Sequence, residues 1–127
     1  MSTDELMNRA RELVPNCHCP YSRFRVTAVL EDETGKLHGG VNVENASLGL
    51  SVCAERTALA AAVASGAKSF RRVLIYSPDG FPIPCGACRQ VLREFCGDDF
   101  EVLVSGAGGE PTRFLLGSLL PCGFSLE

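Results

Sequence analysis

A chain of 127 residues that is 46% hydrophobic and 21% charged, with a formal net charge of −3, has the size and balance of one globular domain with one core. Its basic clusters, Arg71-Arg72 and the arginines from 89 to 93, are short and interleaved with apolar residues, which argues against a nucleic-acid partner. No stretch is apolar and long enough to span a membrane, and the opening MSTDELMNRARELV is acidic and amphipathic, unlike a secretory leader, so a cytoplasmic protein is expected.

In chain order, residues 3 to 14 place Leu6, Ala10, Leu13 and Val14 on one face behind Thr3, the pattern of an amphipathic helix. NCHCPYS then reads as a loop. FRVTAVLE (24–31) and LHGGVNVE (37–44) read as two strands joined by a hairpin across Asp32 to Lys36, with Gly35 in the turn. After the loop ENASLGLS, the alanine-rich run from Val52 to Ser65 ends at Gly66 and reads as a buried central helix. VLIYS (73–77) is a continuous apolar strand of the kind found inside a covered sheet. A second helix is expected from about Cys85 to Phe95, then strands at FEVLVS (100–105) and TRFLL (112–116). GAGGEP between those strands is too short for a crossover, so they should be antiparallel neighbours. The order α-β-β-α-β-α-β-β predicts an α/β protein with a mixed sheet and helices on both faces.

Seven cysteines is a high and odd count for a chain with no visible secretory signal, so a disulfide framework is not expected. PCGACRQ (84–90) holds a C-x-x-C pair whose thiols lie one helical turn apart. Taken alone, that spacing is equally compatible with metal binding and with disulfide exchange. SVCAERTAL (51–59) adds Cys53 at another helix start, followed two residues later by Glu55. Three thiolates leave the fourth position of a tetrahedral zinc site to water, and a neighbouring carboxylate can take that water's proton. Three cysteines with a glutamate that is not a ligand is a signature described for zinc deaminases.

With YSRFRV (21–26), GVNVENAS (40–47), CAERTAL (53–59), PCGACRQ and LLPCGF (119–124) in order, the chain resembles the cytidine deaminase family, in its short homotetrameric class, over about residues 20 to 124. The resemblance implies a three-layer α-β-α fold with a mixed five-stranded sheet, residues 1–127 forming a single catalytic domain. It implies one zinc ion per subunit on Cys53, Cys85 and Cys88, with Glu55 as proton shuttle. Asn42 and Glu44 would bind the ribose hydroxyls, Phe24 would pack on the pyrimidine, and the Ala54 backbone would contact the base edge. Phe124 would reach a neighbouring subunit's site, so active sites are shared, and Arg56 would donate hydrogen bonds to a ligand thiolate. The implied reaction is hydrolytic deamination of cytidine and 2′-deoxycytidine to the uridines, in pyrimidine salvage. Leu48, where many relatives carry an aromatic residue, and Thr27, where they carry glycine or alanine, bear on substrate range.

Several features take plainer readings. Cys17, His18 and Cys19 are expected to be loop residues, since ligands one residue apart are awkward for a single ion. Cys96 and Cys122 are expected to be structural, though a closed four-sulfur zinc fold would recruit one of them. GAGGE lacks the lysine and helix of a phosphate loop and reads as a hairpin turn.

Overall fold

The computed structural model describes residues 3–126. Helix α1 spans Thr3–Leu13, and strands β1 (Thr27–Asp32) and β2 (Leu37–Val41) form the hairpin. Helix α2 (Ala54–Ala64), strand β3 (Phe70–Tyr76) and helix α3 (Gly86–Arg93) follow, then β4 (Glu101–Ser105), β5 (Thr112–Leu115) and a one-turn helix α4 (Leu116–Leu119) that the sequence pattern did not announce. The five strands make one sheet in the order β2-β1-β3-β4-β5. Only the β3–β4 pair, linked through α3, is parallel; the other three are antiparallel. The expected mixed five-stranded sheet is present. No helix among the described residues is long and apolar enough to cross a membrane.

The sheet is covered on both faces because its central strands are apolar at successive positions, and period-2 alternation divides them between two cores. Val29, Leu74, Tyr76 and Leu103 face α1, against Leu6, Met7 and Ala10. Ala28, Leu30, Val73, Ile75, Val102 and Val104 face the other way, against Ala58, Leu59 and Ala62 of α2 and Leu92 of α3. Strand β1 is buried at all six positions, so its polar members need partners inside the protein. The Thr27 hydroxyl donates to the Ala10 carbonyl at 2.9 Å. Glu31 accepts from Arg72 Nε at 2.6 Å, and Asp32 meets His38 Nε2 at 2.8 Å.

Three expectations are corrected. The strand expected from Phe24 begins at Thr27, because residues 24–26 are bonded to side chains of Asp79 and Asn42 outside the sheet. The strand expected to reach Glu44 ends at Val41, after which Val43 makes isolated bridges to His18 and Val52. The α2 helix is buried on one side only: Ala60, Ala61, Val63 and Ala64 are exposed in the single chain.

Helix α2 lies directly on the backbone of β2. A Cβ at Gly40 would come within 2.3 Å of the Ala58 amide nitrogen and 2.5 Å of the Ala54 carbonyl oxygen. Both are backbone atoms on the buried side of α2 and cannot step aside cheaply. Gly40→Ala is therefore expected to destabilise the fold by about 3 kcal/mol, the upper end for an overpacked site, read as a lower urea midpoint. A midpoint equal to that of the unsubstituted protein would contradict this packing.

Candidate active site

Cys53 and Cys85 occupy equivalent places, the N-cap positions of α2 and α3, each with extended backbone (φ −74°, ψ 157° and φ −68°, ψ 166°). Cys88 lies one turn into α3 and is fully buried. Its amide donates to the Cys85 sulfur at 3.4 Å, a hydrogen bond that closes the first turn. The sulfurs of Cys53 and Cys85 are 3.9 Å apart, those of Cys85 and Cys88 3.3 Å, and all three fall within 4.8 Å of one another. A tetrahedral ion with sulfur bonds near 2.3 Å needs sulfurs roughly 3.8 Å apart. The cluster therefore suits a soft or borderline ion such as zinc, and two helix N-termini direct free N–H groups and positive dipole ends toward it.

The charge is uneven. The Cys53 pKa is brought down to about 5, chiefly by the Cys88 thiol, with Arg56 and Cys85 adding to the effect. Cys88 is pushed upward by that same contact, by burial and by the charge of Glu55. Arg56 sends one guanidinium nitrogen to the Ser51 carbonyl at 3.4 Å and to the Cys53 sulfur at 3.8 Å. Its Nε is buried without a hydrogen-bond partner among the described residues. Glu55 is only 5% exposed. Burial, seconded by the negative Cys53, raises its pKa above the ordinary carboxylate range. A carboxylate raised in this way accepts a proton more readily than an ordinary one and can return it.

Beside the sulfurs lies a cavity of about 150 Å³ lined by Phe24, Val26, Asn42, Cys53, Ala54, Glu55, Pro82, Ile83 and Cys85. Six of the expected site residues meet there: Phe24, Asn42, Cys53, Ala54, Glu55 and Cys85. Sequence reasoning missed Val26, Pro82 and Ile83. The last two sit three and two positions before Cys85, so their nearness to the cluster was available from spacing alone. The Thr57 hydroxyl donates to the Val41 carbonyl at 2.7 Å, fixing the first turn of α2 beside the segment that carries Asn42.

Asn42 and Glu44 also shape the loop before β1. Asn42 Nδ2 donates to the Phe24 carbonyl at 2.7 Å, and its Oδ1 accepts from the Val26 amide at 3.3 Å. The Glu44 carboxylate accepts from the amides of Tyr21 and Ser22, both at 3.1 Å, and from the Ser22 hydroxyl. Those bonds hold its pKa below the usual value, led by the Ser22 hydroxyl. Glu44 stands outside the cavity lining.

Phe124 is not brought to this cavity. Its backbone is held by the Gln90 side-chain amide, at 3.1 Å on the amide side and 3.0 Å on the carbonyl side, and the residue is 68% exposed. Arg89, the neighbour of Gln90, donates to the carbonyls of Pro84 (2.9 Å) and Leu119 (2.8 Å) and braces the loop that delivers Cys85. Thr27 faces α1 and lines no part of the cavity, while Leu48 lies 74% exposed on a short turn. Among the described residues the three-cysteine group is the only cluster of possible metal ligands. Cys17, His18 and Cys19 form none. Cys96 is buried in the core with its pKa pushed up to about 12 by desolvation, and Cys122 is exposed in a left-handed turn (φ 56°), so neither supplies a fourth sulfur.

Comparison with known proteins gives concordant results. Residues 1–104 match the family model described as the cytidine and deoxycytidylate deaminase zinc-binding region. A protein of Dictyostelium discoideum named probable cytidine deaminase is 44% identical over 132 aligned positions, covering all of this chain and 88% of the relative. The cytidine deaminase of Sporosarcina psychrophila is 36% identical, covering all of this chain and 94% of its own. The crystal structure of cytidine deaminase from Burkholderia pseudomallei superimposes with a TM-score of 0.91 at 39% identity, covering 98% of this chain and all of the other. A site built on three sulfurs should not survive loss of its buried member. Cys88→Ser is expected to lower bound zinc from about one ion per chain to less than a tenth of that, measured by plasma emission on dialysed protein. Retention of a full equivalent would place the metal elsewhere.

Proposed function

The chain belongs to the cytidine and deoxycytidylate deaminase family, and we propose from that membership that its cavity takes cytidine and 2′-deoxycytidine and converts them, with water, to the uridines and ammonia. The role is in pyrimidine salvage, in the cytoplasm. The observation that carries this reading is the placement of Glu55, buried beside the three sulfurs and on the wall of a cavity that also presents Phe24 and Asn42.

Cys53, Cys85 and Cys88 would hold the zinc ion. When bound, zinc supplies the Lewis acidity that lets water ionise near neutral pH. Glu55 would take one proton from the attacking water and pass it to the ring nitrogen next to the amino-bearing carbon; it would then take the second, from the hydroxyl now on that carbon, and give it to the amine, which leaves as ammonia as the carbonyl forms. One carboxylate suffices because the transfers occur around one edge of a small ring. Three thiolates would leave a dipositive ion with a formal surplus of negative charge. The two helix N-termini and Arg56, 3.8 Å from the Cys53 sulfur, offset it. Phe24 packs on the pyrimidine, the Ala54 backbone meets the base edge, and Asn42 and Glu44 receive the ribose hydroxyls with the hydrogen-bonding capacity left after bracing their own loop. Glu55→Gln is expected to keep its zinc and lose about 10²–10⁴-fold in kcat, the range for a lost general acid–base group, in a spectrophotometric cytidine assay paired with metal analysis. Unchanged kcat would remove Glu55 from the chemistry.

We further propose that the active unit is a homotetramer with shared sites. The cavity of about 150 Å³ is smaller than the roughly 300–1,000 Å³ usual for small-molecule sites, as expected if one chain builds only part of the wall. Phe124, Leu48 and Leu50 are exposed apolar side chains, and the outward face of α2 is alanine and valine. A neighbour would cover that face and receive Phe124. On serial dilution, activity per chain should fall as the assembly elutes later in size-exclusion chromatography. Constant specific activity in a monomeric fraction would contradict sharing.

A further inference from the structure

The ring of Phe24 stands directly on Gly80. A Cβ built at Gly80 meets nothing within 4 Å except this ring, at 2.8 Å from Cε1, 3.2 Å from Cζ and 4.0 Å from Cδ1. The backbone of Gly80 does not itself require glycine, since its φ lies outside the left-handed region. The missing side chain is therefore space given to the ring. From below, Gly106 supports the loop: a Cβ there would approach the Gly80 carbonyl oxygen to 2.9 Å, so the loop is already seated on the end of β4 and cannot recede.

The residues next in sequence lock this stack. Arg25 donates its backbone amide (2.9 Å) and Nε (3.0 Å) to one oxygen of Asp79 and a terminal nitrogen (2.8 Å) to the other. The Asp79 amide in turn donates to the Ser77 hydroxyl at 3.0 Å. The fork ties the segment carrying Phe24 and Val26 to the loop carrying Pro82 and Ile83, which are opposite contributors to one cavity.

We propose that Gly80, with the Arg25–Asp79 fork, positions the Phe24 ring and thereby sets how closely the cavity fits the pyrimidine. This rests on Phe24 packing against the base. The fork is partly exposed, at 46% and 26% for its side chains, and exposed ion pairs add little to folding stability. Its loss should therefore appear in substrate binding and leave the thermal midpoint unmoved.

The test is steady-state cytidine kinetics on Gly80→Ala, Asp79→Asn, Phe24→Ala and the Phe24→Ala/Gly80→Ala double variant, each with zinc content and thermal midpoint. Gly80→Ala should raise KM about fivefold to tenfold and Asp79→Asn about threefold, with kcat within about twofold and zinc and midpoint unchanged. In the Phe24→Ala background Gly80→Ala should add nothing, because the ring it displaces is gone. An equal KM increase in both backgrounds, or no increase when Phe24→Ala alone raises KM, overturns the inference and leaves the role of Phe24 standing. A Phe24→Ala enzyme with unchanged KM overturns both.

Discussion

The meeting of Cys53, Cys85 and Cys88 depends on where two helices begin. A helix start leaves its first amides without carbonyl partners, and a sulfur placed at the cap is stabilised as an anion by those amides and by the dipole behind them. Here two such starts face one another, because α2 packs on the backbone of β2 and α3 crosses between the parallel strands β3 and β4. Three thiols so close would repel one another as anions. Their proximity makes sense if an ion shares the charge, since the contact that lowers Cys53 raises Cys88. Glu55 inherits its position from the same start, two residues after Cys53.

The rest of the first wall is built from hydrogen bonds that serve the loop before β1. Asn42 and Glu44 bind the backbone of residues 21–26, and Arg25 binds Asp79. The segment carrying Phe24 is thus held by side chains from two directions and belongs to no strand. Asn42 occupies two of its polar atoms in this way and still borders the cavity. A substitution at Asn42 would therefore disturb the loop and the cavity wall together.

Much of this was legible in sequence. The continuous apolar run VLIYS gave β3, the stretches FRVTAVLE and FEVLVS gave β1 and β4, the apolar run ending at Gly66 gave α2, and the short GAGGEP connection gave the antiparallel last pair. The zinc cluster was legible because its residues are chemically distinctive and fall in two short motifs, Cys53-Ala54-Glu55 and Cys85-Gly86-Ala87-Cys88. The true start of β1 was not, since the departure of Phe24 from the sheet is caused by Asp79, 54 positions away from Arg25. The exposed side of α2 was missed because composition cannot say whether alanines face a core or a neighbour. Thr27 looked like a site variant, yet its hydroxyl is committed to the Ala10 carbonyl on the opposite face of the sheet. Nothing in a glycine's letter announces that Gly80 stands under an aromatic ring.

The central claim is that a sulfur-bound zinc ion and the adjacent carboxylate together deaminate a cytosine nucleoside. It is tested most directly by quantifying zinc and cytidine turnover on one preparation before chelation, after chelation and after zinc is returned. The account predicts uridine and ammonia in equal amounts, with a rate that falls and recovers in proportion to zinc up to one ion per chain. Undiminished turnover in protein stripped of its metal would contradict it.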